Sequence, residues 1–249
     1  MLEYITEDIV RIKVPFADIY TTVCIVTAPC GVVLFDAATK AKDVDGYIVP
    51  VLEKLGLQPD YVFISHNHGD HSGGLPRVME HYPQAQVITE NPQLQEQYGC
   101  HQLPEGVLQL IYIPGHTPDA IGLLDTRTGT LISGDCLQAY GIYGQGPWGS
   151  AIRHIGPHFQ ALEELQEIKL NTIITAHDYY PFEAIVEKEQ IPAFLNTCRE
   201  ALEKLRDIVA AQPESNDLEL ADICNARGLP RIDHRVIAGI RIAMETGIL

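Results

Sequence analysis

Residues 65–74 read Ser-His-Asn-His-Gly-Asp-His-Ser-Gly-Gly. His66, His68, Asp70 and His71 crowd into six consecutive positions of a chain that has 10 histidines in 249 residues. The residues just before them, Tyr61-Val62-Phe63-Ile64, form an apolar run of the length and composition of a buried strand. A strand that opens straight into three imidazoles and a carboxylate limits the folds open to this chain. Ten residues cannot complete a metal or catalytic shell, so other strand ends must bring polar groups to the same place.

Three further segments meet that demand. His116 lies in Pro114-Gly115-His116-Thr117-Pro118, Asp135 in Ser133-Gly134-Asp135, and His177 in Ala176-His177-Asp178. Each interrupts a β-rich run with a turn. The N-terminal third is strand-rich, with β-branched runs at 9–14, 21–27 and 32–36. A helical stripe follows at 43–55 (Val44, Ile48, Val51, Leu52, Leu55), ended by Gly56. Helices are also expected at 74–81, 91–98 and 159–168. Strands are expected at 86–89, 108–113, 121–125, 130–133 and 171–175. Pro157 suits the first position of the 159–168 helix and breaks the i, i+4 geometry of His154 and His158, which read as loop or pocket residues. Beyond about residue 182 the chain turns helical, over 182–211, 217–225 and 232–246. Domain boundaries are accordingly set at 1–181, carrying the metal-type residues, and 182–249, a C-terminal helical extension.

Imidazoles and carboxylates converging without thiolates suit zinc, iron or manganese in a reactive site better than a structural four-thiolate zinc. Five histidines and two aspartates exceed the needs of one tetrahedral ion. Two ions about 3.5–4 Å apart would use them all, sharing a carboxylate and a hydroxide.

The ordered set H-x-H-x-D-H, G-H-T-P, G-D and a late A-H, spanning residues 66 to 177, resembles the metallo-β-lactamase superfamily. The resemblance implies an α/β (α+β) chain folded as a four-layer αββα sandwich. It places His66, His68 and His116 on one metal, Asp70, His71 and His177 on a second, and Asp135 between them. It implies two divalent ions, zinc first, with iron or manganese open. Aspartate at 135, where many zinc β-lactamases use cysteine, is closer to the glyoxalase II and lactonase branches, and the side chain of adjacent Cys136 is expected to point elsewhere. Asp119 and Asp178 stand where the family commonly has glycine, and acceptors for ligand imidazoles and turn caps both remain open for them.

The activity this implies is hydrolysis of an acyl carbonyl in a thioester, a lactone or another ester by a metal-bridging hydroxide. Asp70 would orient the nucleophile and pass its proton to the leaving group. Tyr140 and Tyr143, with Trp148, follow Asp135 closely as candidates to wall the pocket or donate to the oxyanion. Tyr179 and Tyr180 are weaker candidates of the same kind. A mononuclear-iron, persulfide-dioxygenase-like oxidoreductase is the alternative. A non-enzymatic metal-binding scaffold using the helical tail is a further one. Acids outnumber bases 33 to 17, a net charge of −16. That balance opposes binding to nucleic acid or an anionic membrane and leaves a small acyl molecule as the expected partner, with a homodimer open. The start, MLEYITEDIVRIKVP, has neither the basic nor the apolar region of a signal peptide. No C-x-x-C pair occurs among the six cysteines, so reduced thiols and a cytoplasmic location are expected.

Overall fold

Runs rich in β-branched residues in the first 28 positions build three antiparallel strands, β1 (Leu2–Tyr4), β2 (Ile9–Phe16) and β3 (Ile19–Ala28). A computed structural model describes residues 2–142, 150–226 and 232–249. Strand β4 (Gly31–Phe35) returns beside β3, and β5 (Tyr61–Phe63) and β6 (Gln86–Ile88) continue the sheet in parallel. Its order is the chain order, β1 to β6. A second sheet runs β11-β10-β9-β8-β7, from β7 (Leu108–Tyr112), β8 (Ile121–Asp125), β9 (Thr130–Gly134), β10 (Thr172–Thr175) and β11 (Ile185–Glu187). Two sheets with interspersed helices bear out the mixed α/β class.

The chain forms two compact units, residues 1–111 with 121–128, and 112–120 with 129–249. The C-terminal helices share a unit with β9–β11.

In the first unit, the 43–55 stripe becomes α1 (Ala41–Asp43), a π-helical stretch (Val44–Ile48) and α2 (Val49–Leu55). Val44, Ile48 and Leu52 are buried in one core with Val10, Ile25 and Val62. Gly56 caps α2 at φ 67°, its N–H turned back to Leu52 O and Glu53 O, as a left-handed C-terminal glycine does. Helix α3 (Gly69–Ser72) leads into α4 (Leu75–His81), and α5 (Pro92–Tyr98) starts on Asn91, whose side chain accepts from Gln93 and Leu94 N–H.

Gly73 and Gly74 join α3 to α4 against the 36–39 turn. A Cβ at Gly74 would stand 2.0 Å from Ala37 O, and one at Gly73 2.1 Å from Thr39 O. Backbone atoms cannot move aside as a flexible side chain can. Gly74→Ala is therefore expected to cost about 3 kcal/mol, while Gly46→Ala, with nothing within 4 Å of its Cβ, stays near wild type. Urea unfolding of the two variants checks the contrast.

The second unit carries α6 (Ile155–Glu167), α7 (Ile191–Ala210), α8 (Asp217–Ala226) and α9 (His234–Glu245). The α7 stripe Phe194, Leu195, Cys198, Leu202, Leu205 is buried, as ordinary packing requires. Two expectations need correction. The helix expected from residue 182 begins at Ile191, with Pro192 in its first turn, because 185–187 pair with β10 as β11. The 159–168 helix starts a turn early, at Ile155, so His158 is a buried helical residue and not part of a loop. Pro157 is tolerated there because the first N–H groups of a helix have no intrahelical partner. Among the described residues no helix is long and apolar enough to cross a membrane, and all six cysteines are free thiols.

Candidate metal centre

Parallel strands β4 and β5 end side by side, and the carboxyl ends of parallel strands are where open α/β sheets place ligands. Asp36 follows β4 and Ser65 to His71 follow β5. Asp36 sits at φ 61°, a left-handed conformation that aspartate tolerates better than most residues. Three donors hold it there. Ser65 N–H reaches Oδ1 at 2.8 Å, Ser65 Oγ reaches Oδ2 at 3.0 Å, and His71 Nδ1 lies 2.7 Å from Oδ2. Asp36 and His71 are both 0% exposed. Burial pushes the Asp36 carboxyl up, opposed by His71 and by the Ser65 donors. With Nδ1 committed to Asp36, the His71 ring turns Nε2 toward Asp70 Oδ2, 3.3 Å away. His66 is fixed in the same way: Ser65 Oγ lies 3.1 Å from its Nδ1, and its Nε2 stands 3.0 Å from His68 Nδ1. The first unit thus gathers His66, His68, Asp70 and His71 on one turn.

The second unit gathers His116, Asp135 and His177. Asp135 follows β9 and His177 follows β10, another parallel pair. Asp135 Oδ1 stands 3.3 Å from His177 Nε2, and Oδ2 stands 3.7 Å from His116 Nε2. Tyr179 Oη donates to Oδ1 at 2.7 Å. His116 Nδ1 lies 3.2 Å from Ala151 O and 3.1 Å from Gln138 Nε2. The Gln138 amide braces this loop, donating to Asp135 O (2.9 Å) and accepting from Ala151 N–H (2.7 Å). Gly115, at φ 154°, admits His158 so closely that a Cβ would stand 2.7 Å from His158 Nδ1. Burial pushes the His158 imidazole down to about 4, so it is neutral at pH 7.

The donor chemistry suits a small divalent cation. In His71 and His116 the Nδ1 atom is anchored on a carboxylate or carbonyl and Nε2 is presented, which is how protein scaffolds fix a ligand tautomer. The imidazole–carboxylate separations of 3.3–3.7 Å are long for hydrogen bonds. They match two ligands held about 2.0–2.1 Å from one tetrahedral ion, which stand roughly 3.4 Å apart. In each unit the donors are of a kind that suits a metal, and all seven are among the described His/Asp residues that could hold one.

Tyr140 is laid against α7, its hydroxyl 3.4 Å from Glu200 Oε2 and in contact with Lys204 Nζ, which also sits 4.4 Å above its ring. Tyr143 and Trp148 fall outside the described residues. Asp178 Oδ1 accepts from Ala184 N–H at 2.9 Å, a turn-tying role. Sequence reasoning missed Asp36, Ser65, Gln138 and the packing of His158. The signal for Asp36 was available: like Asp135, it is a carboxylate directly after a β-branched run.

A family model described as "Metallo-beta-lactamase superfamily" matches residues 20–92. A hydroxyacylglutathione hydrolase of Synechococcus sp. (strain JA-2-3B'a(2-13)) is 30% identical over 157 residues, covering 58% of this chain and 60% of that protein. An atrochrysone carboxyl ACP thioesterase, AacuM, of Aspergillus aculeatus is 26% identical over 153 residues, covering 58% of this chain and 46% of that protein. The matched regions span only about half of the length of these curated relatives. The solved structure of the DIM-1 metallo-beta-lactamase superposes with a TM-score of 0.60 at 15% identity, over 81% of this chain and 97% of that one, a likeness of fold.

Proposed function

From the premise that this chain belongs to the metallo-β-lactamase superfamily and has its sandwich fold, we propose that it is a dinuclear metal-dependent hydrolase of an acyl carbonyl. The observation that carries this reading is the donor set itself, seven buried or half-buried imidazoles and carboxylates, with Nδ1 of His66, His71 and His116 held by Ser65, Asp36 and Ala151 O. In this reading His66, His68 and His116 hold one ion, Asp70, His71 and His177 hold the other, and Asp135 serves both. Zinc suits the donors most readily, with iron and manganese in the same class.

When bound, the metals lower the pKa of a water and polarise the substrate carbonyl. The chain's own residues do the rest. Asp70, with its side chain 14% exposed, stays within reach of solvent and substrate, so its carboxylate can orient the attacking water and carry a proton to the leaving group. Asp36 and Ser65 hold His71 and His66 in one ring orientation. Tyr179, donating to Asp135 at 2.7 Å, keeps that carboxylate turned toward its histidines.

The substrate class is a thioester, lactone or simple ester. The relatives named as a hydroxyacylglutathione hydrolase and an ACP thioesterase support thioesters first. The test is turnover of a panel of thioesters, lactones and β-lactams by the metal-loaded chain, before and after chelation. We expect thioester or lactone hydrolysis that chelation removes and added zinc restores. Turnover untouched by chelation would refute the reading.

A further inference from the structure

The second unit has a concavity that the chemistry above does not use. It is a cleft of about 470 Å³ between the end of α6, residues 168–170 and the first turns of α7, a size typical of small-molecule sites, about 300–1,000 Å³. Its floor is aliphatic, with Leu165, Ile191 and Leu195 all buried, and no aromatic ring lines it. Lys169, Lys188 and Asn196 form an exposed rim. Among the described residues neither ammonium is engaged in a hydrogen bond or ion pair. The chain has 33 acids and 17 bases, yet the ten lining residues include two lysines and no carboxylate. The lining therefore sets two ammonium groups over an apolar floor.

We propose that this cleft is a binding site for an amphipathic carboxylate, an unbranched medium-chain fatty acid. The alkyl chain lies on the aliphatic floor, where water is displaced from apolar surface. The carboxylate sits at the rim, where Lys169 and Lys188 supply charge-assisted donors and Asn196 a neutral one. A flat aromatic acid would find no ring to stack on, and a small anion such as acetate would leave the floor unused. The site does not depend on the reading of the metal centre.

The test is titration of the metal-loaded 249-residue chain with sodium decanoate, followed through backbone amide chemical shifts. The expected result is one saturable site with shifts concentrated in residues 165–170 and 188–196. Lys169→Gln/Lys188→Gln should weaken binding at least tenfold. Asn196→Trp, at an exposed helical position, should fill the cleft and remove binding, with thermal melting of both variants unchanged. Four results would overturn the proposal: no saturable binding, shifts confined to the His116, Asp135 and His177 segments, equal affinity for neutral methyl decanoate, or equal affinity for acetate.

Discussion

Asp135→Ala is expected to fold and to lose both metal and turnover. Asp135 stands 3.3 Å from His177 Nε2 and 3.7 Å from His116 Nε2, so its two oxygens face two different imidazoles. No other carboxylate in the second unit's donor group can replace it. Loss of an outer-shell partner typically costs 10–100-fold in metal affinity; loss of a shared ligand should exceed about 100-fold. The variant also leaves Tyr179 Oη without its 2.7 Å acceptor, a further cost of about 1–3 kcal/mol. Asp135→Asn keeps the shape and an acceptor for Tyr179 but removes the charge. It should therefore recover the melting temperature without recovering metal. Metal content by mass spectrometry, read beside thermal melting, separates the two effects. Full activity in the alanine variant would remove Asp135 from the centre.

Asp36→Ala is the second large effect, and it falls on stability as well as on the metal. The carboxylate receives Ser65 N–H, Ser65 Oγ and His71 Nδ1, all within 3.0 Å and all buried. Deleting it strands three polar groups away from water. Each buried group without a partner costs about 1–3 kcal/mol, and the sum should reach about 4 kcal/mol after local relaxation, or roughly 10 °C in Tm for a chain of this size. The His71 ring loses the partner that sets its tautomer, so metal affinity should fall by about 10–100-fold. A variant that melts like wild type and binds metal normally would show that Asp36 neither supports the fold nor orients His71.

The sequence exposes the donor residues because metal ligands are chemically distinctive and follow strand ends. It exposes the strands because β-branched and other apolar residues run through β2 and β3. The supporting residues are harder to read. Asp36 lies 35 positions before His71, and Gln138 lies 22 after His116, so neither shares a local motif with the group it holds. Tyr179 and Tyr140 illustrate the same limit. Both follow a donor residue closely, but Tyr179 turns to Asp135 and Tyr140 turns to Lys204 on α7, and only the tertiary fold separates them. His158 was hidden by Pro157, which reads as a helix breaker until the helix is seen to start two residues before it. The β11 strand was hidden by the long helical pattern that follows it, since three residues are too few to show a period of two.

The most direct test of a dinuclear centre is the metal content of the 249-residue chain purified without added metal or affinity chelation. A dinuclear hydrolase should carry two equivalents of a divalent metal per chain, zinc first, and lose thioester or lactone turnover in step with their removal. One equivalent of iron with the second site empty, together with oxidation of a persulfide, would contradict it, as would a metal-free protein that still hydrolyses its substrate.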